Sequence, residues 1–122
     1  MERARRQDLV ARAERFSVRV LRLSGRLRDE RQLSFKTIDQ FADAGTAIAS
    51  NLTEAQSSIT RKRMAWYYSI ALGEARETAT WLRVLQDVWP GDPPEVAWLL
   101  QEASEFVAML TVSVKKLRNP SD

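Results

Sequence analysis

The sequence predicts an all-α protein, an antiparallel up-down-up-down four-helix bundle. Three observations carry that prediction. Apolar residues recur at alternating steps of three and four along most of the chain, and no alternation of period two persists. The one strong break, Trp89-Pro90-Gly91-Asp92-Pro93-Pro94, gathers three of the four prolines. The 122 residues suffice for one hydrophobic core and not for two.

The first helix, about 5–28, carries Leu9, Ala13, Phe16, Val20, Leu23 and Leu27 on one face. Apolar spacing lapses between Arg28 and Ser34, and Ser34 is placed to cap the second helix, about 35–58. That helix carries Ile38, Phe41, Gly45, Ile48, Leu52 and Ala55, with Ala42, Ala44, Ala47 and Ala49 among them. A glycine inside a helix costs about 1 kcal/mol relative to alanine, so Gly45 predicts close approach of another helix, in the same chain or in a second subunit. Thr60 can cap the third helix, about 60–88, whose stripe is Met64, Tyr68, Ala71, Ala75, Thr78, Leu82 and Leu85. Asp92 followed by Pro93 reads as an N-cap with proline at the first helical position of the fourth, about 93–117. Its stripe is Val96, Leu99, Ala103, Phe106, Leu110 and Leu117, with an irregular step near Ser113. Segments of roughly 20–28 residues make rods of ~30–40 Å, matched in length as a bundle requires.

The third helix is apolar beyond one stripe. Tyr67, Ile70, Trp81 and Val84 flank the core positions, and Trp66 lies further round. One core cannot absorb them all, so these four predict a second contact surface and a homo-oligomer.

Composition excludes several functions. There is no cysteine and no histidine, which removes disulfides, thiol nucleophiles, thiolate metal sites and the commonest general base and zinc ligand. Glu74 and Glu77 form a carboxylate pair at i, i+3, yet no nucleophile, cofactor loop or phosphate-binding glycine motif accompanies them. The reading is therefore non-enzymatic, with no catalytic residues, cofactor or metal. No apolar run approaches the ~18 residues of a membrane span, and none of signal-peptide length follows the basic N-terminus. A cytoplasmic protein is expected.

The net charge of +3 conceals an asymmetry. Residues 1–31 hold ten arginines against five acids, and residues 32–122 hold nine basic against eleven acidic side chains. Arg12, Arg15, Arg19, Arg22 and Arg26 form a stripe beside the core face of the first helix. Like charges at these spacings repel, so the stripe needs a partner. One candidate is RNA or DNA, bound weakly through arginine–phosphate contacts. The other is internal: Glu95, Glu102 and Glu105 flank the core face of the fourth helix and can oppose the stripe, leaving an assembly or scaffold protein without nucleic-acid activity.

An ordered series of motifs runs through the middle of the chain: Ser50-Asn51-Leu52-Thr53-Glu54-Ala55, Thr60-Arg61, Ser69-Ile70-Ala71-Leu72, Glu74-Ala75-Arg76-Glu77-Thr78 and Trp81-Leu82. As a set, over about residues 48–85, it resembles the four helix bundle protein family, also called the 23S ribosomal RNA intervening-sequence protein family. The chain departs from the family pattern at Ala42, Asp43, Arg63, Tyr67 and Gly73, and the departures reduce the basic character of the middle helices. The resemblance implies a bacterial protein, a bundle of four helices and a homo-oligomer, commonly a pentamer. The family is also similar to the accessory proteins of diversity-generating retroelements, which implies a reverse transcriptase as a partner by analogy. Asn51, Glu54, Arg76 and Glu77 fall on family motif positions, and the expectation is a structural polar network at the seam of helices two and three.

Overall fold

The computed structural model describes residues 2–119. Four helices follow one another, α1 (Glu2–Glu30), α2 (Phe35–Gln56), α3 (Arg61–Val88) and α4 (Pro93–Arg118). Each packs against the next and α4 returns to α1, so the order around the bundle is α1, α2, α3, α4 with no diagonal packing. The α4–α1 pair is the least closely packed of the four.

Local chemistry sets the breaks. Arg31, at φ 55°, turns the chain out of α1, and its N–H donates to the carbonyl of Arg28. Ser34 Oγ accepts from Thr37 N–H at 3.1 Å, Thr60 Oγ1 from Arg63 N–H at 3.1 Å, and Asp92 Oδ1 from Glu95 N–H at 3.2 Å. Each cap satisfies a donor that the first helical turn leaves open. At the α3–α4 corner Trp89 is buried, and a Cβ on Gly91 would lie 2.4 Å from its ring.

The core forms where the four apolar stripes meet. Phe16 and Phe106 pack edge to face across it, with ring centroids 5.6 Å apart. The irregular step in α4 resolves as Val114, which is buried and continues the stripe one residue after Ser113. Gly45 does mark a close approach, and the approaching helix is α1 of the same chain: a Cβ there would lie 2.8 Å from Val20 Cγ1. The valine is stiff at χ1 in a helix and cannot swing clear. Gly45→Ala is therefore expected to destabilise the bundle by about 1 kcal/mol despite alanine's better helix propensity. In a Val20→Ala background the same change should turn neutral or stabilising. Urea denaturation of the two singles and the double checks it.

Candidate functional site

The arginine stripe divides in two. Arg12, Arg19 and Arg26 are seven residues apart, so they share one line down α1, and that line faces α4. Arg12 Nε donates to Glu102 Oε2 at 2.9 Å, and its Nη2 donates to Glu102 Oε1 at 2.5 Å and to Glu105 Oε1 at 2.8 Å. Arg19 forks onto Glu95, with Nε donating to Oε2 at 3.1 Å and Nη2 to Oε1. Arg26 Nη1 donates to Asp92 Oδ2 at 2.8 Å. The guanidiniums also lie over aromatic rings, Arg19 3.5 Å from the centroid of Trp98 and Arg26 5.3 Å from that of Trp89. These bonds raise the pKa of all three arginines; Arg12 holds Glu105 below the usual carboxylate range, and Arg26 does the same to Asp92.

Arg15 and Arg22 lie about 40–60° further round α1, since each residue advances the helix by about 100°. Both are exposed, and neither forms an ion pair among the described residues. The five arginines thus form a ladder of three bound to α4 and an open pair beside it.

On α3 a second line runs at coiled-coil spacing, Tyr67, Ile70, Glu74, Glu77, Trp81, Val84 and Val88. It lies outside the core, on the α2 side. Tyr67, Ile70 and Trp81 are half-buried, while Val84 and Trp66 are 41% and 64% exposed. Two glutamates occupy the middle of this apolar line. Glu74 is half-buried, and burial raises its pKa, with Glu77 and Asp43 of α2 adding to the shift. Glu77 accepts a bond from Trp81 Nε1 at 3.4 Å.

The polar network expected of Asn51, Glu54, Arg76 and Glu77 does not form within the chain. Asn51 Nδ2 donates to the carbonyl of Ala47 at 2.8 Å in its own helix, and Glu54, Arg76 and Glu77 are exposed. Arg76 is turned away from Glu77 by one helical step. It lies a heptad beyond Ser69, whose hydroxyl accepts from Arg118 of α4.

One feature escaped the sequence. Where α1 and α4 part, near the start of α1, an open groove of about 1130 Å³ is floored by Leu9, Met64, Tyr68, Met109 and Leu117. It arises from the spacing of two helices, which no motif records. Among the described residues no cluster of three or more metal-ligating side chains occurs, and no helix is long and apolar enough to cross a membrane.

Together these features define a small all-α bundle protein with an arginine–carboxylate ladder along α1 and α4 and an apolar line along α3. The chain belongs to the 23S rRNA-intervening sequence protein family, whose sequence model matches residues 5–112. It is similar to a solved structure from Bacteroides thetaiotaomicron, a protein with unknown function from the S23 ribosomal protein family, with 26% identity and a TM-score of 0.81. The match covers 88% of this chain and 98% of that one. No functionally curated protein matches.

Proposed function

We propose that the protein is a non-enzymatic assembly module that self-associates through the outer face of α2 and α3. The observation that carries this is the apolar line at heptad spacing on α3, whose Tyr67 and Trp81 pack only partly against the core and whose Val84 and Val88 are 41% and 51% exposed. Tyr67, Ile70, Trp81 and Val84 combine aromatic anchors with aliphatic fill, the composition of interface centres. The family resemblance adds an expectation of five 14.0 kDa subunits. Light scattering is expected to give a mass above that of one chain, and Ile70→Glu with Trp81→Glu to lower it while helical circular dichroism persists. A wild-type mass of one chain at every concentration would overturn the reading.

A second reading, weak binding of nucleic acid, is supported by the exposure of Arg15 and Arg22. Two phosphate contacts give a log–log salt slope of about −1.8 on duplex DNA, whereas five would give about −4.5. The shallow slope is expected, because Arg12, Arg19 and Arg26 are already engaged by carboxylates.

A further inference from the structure

The groove between the start of α1 and the end of α4 is polarised along its length. At its mouth stand Arg5 of α1, Arg61 of α3 and Lys116 of α4. All three are exposed, and none forms a salt bridge among the described residues. Arg61 Nε donates to the carbonyl of Leu117 at 3.3 Å, which holds it at the lip. Seven residues away along the same three helices stand Arg12, Tyr68 and Met109, so the mouth and the inner end are about 10.5 Å apart.

The inner end is closed by charge that is already balanced. Arg12 is bonded to Glu102 and Glu105, and its Nη1 donates to Met109 Sδ at 3.8 Å. Between the ends the lining is largely apolar, with Leu9, Met64 and Val112 inside and Ile59 at the lip. Val112 is 51% exposed and Ile59 97%. Asp8 is the one acid among the lining residues.

This polarity selects the occupant. It must bring negative charge to one end and an apolar body to the rest. A nucleic acid carries phosphates along its whole length and has no apolar body to lay on Met64 and Val112. An acidic amphipathic helix spreads its carboxylates along its length, and some would meet Asp8, Glu102 and Glu105. An alkyl chain with a single anionic head meets neither difficulty. Methionine suits such a chain, because its flexible thioether fills irregular gaps.

We propose that the groove binds a medium-chain amphiphile with an anionic head. The head sits among Arg5, Arg61 and Lys116, and the chain lies on Leu9, Met64 and Val112. Carbon–carbon bonds of ~1.5 Å advance an extended chain by ~1.25 Å each, so about eight or nine carbons span the groove. One leaflet of a bilayer is ~15 Å of hydrocarbon, half of a ~30 Å core, so the groove is cut for a free molecule and not for a membrane lipid. No residue of the apolar line on α3 lines the groove, so the site stands apart from the self-association described above.

Two of the three methionines line the groove, so methyl-labelled methionine reports on it by NMR in the full chain. Octanoate, below the concentration at which it forms micelles, is expected to shift the Met64 and Met109 methyl resonances to saturation. Octyltrimethylammonium, with a similar chain and the opposite head, is expected to bind at least tenfold more weakly. R5E/K116E should weaken octanoate at least tenfold and the cation not at all. Val112→Asn should weaken both several-fold, and circular dichroism checks that each variant is folded. Absence of a saturable shift, equal affinity for the two heads, or octanoate binding unchanged in R5E/K116E overturns the proposal. Methyl shifts caused by phosphatidylglycerol vesicles or by an RNA oligonucleotide, with none from octanoate, also overturn it and assign the groove to a membrane surface or to RNA.

Discussion

Arg12→Glu is expected to lower the stability of the bundle by about 3 kcal/mol, while Arg15→Glu, three residues on, changes it by no more than about 0.5. The comparison is made on dissociated chains at low concentration, because assembly adds stability by mass action. Arg12 bridges two carboxylates, and the side chain of one of them, Glu102, is only 12% exposed. Removing the guanidinium leaves that carboxylate without its partner, and the new glutamate repels both. The cost falls toward the low end of what breaking a buried pair entails, because Arg12 itself is 29% exposed. Arg15 has no such partner among the described residues. Urea midpoints with unchanged m values report the difference.

Acid should erase much of that difference. The folded-state pKa of Glu105 lies below its ordinary value because of Arg12, so its contribution is present above the ordinary carboxylate pKa. It is lost as pH falls through the depressed value. Asp92 behaves in the same sense through Arg26. Melts of the wild type and Arg12→Glu should therefore converge in strong acid.

Trp89→Ala is expected to cost about 4 kcal/mol, close to the limit for one truncated side chain. Trp89 is 1% exposed at the α3–α4 corner. Its ring lies against Gly91, under the guanidinium of Arg26, and its Nε1 donates to Glu30 Oε1 at 3.3 Å. Truncation empties the corner and loosens the lower end of the arginine ladder. A melting temperature lower by about 15 °C is expected for a domain of this size. Fluorescence gives a second readout. Trp66 and Trp98 are 64% and 41% exposed, so removing Trp89 should take away the emission of a fully buried indole.

The architecture was legible because α2, α3 and α4 are each specified twice, by a 3.6-residue apolar period and by a capping residue at the start, and α1 by its apolar period. Ser34, Thr60 and Asp92 are readable as caps from residue type alone, and each makes the expected bond. The arginine stripe was legible only in part. A residue that precedes a core position can lie anywhere on a broad flank, and Arg12 and Arg15 both qualify. The finer seven-residue spacing of Arg12, Arg19 and Arg26, met by Glu102 and Glu95 on the antiparallel α4 and by Asp92 at its N-cap, separates the ladder from the open pair. The expected network at Asn51 failed for a different reason. Motif positions give the residues and not the direction of each side chain, and one helical step turns Arg76 away from Glu77.

The loose α4–α1 pair has a mechanical consequence. Three sides of the bundle are closed by short-range packing of buried apolar residues, which salt barely touches. The fourth is wider, held by the Phe16–Phe106 pair inside and by long charged side chains reaching across outside. Concentrated salt should slacken that side first, so the molecule is a clamp with one ionic latch, and opening the latch widens the groove already open beside Arg12 at the start of α1.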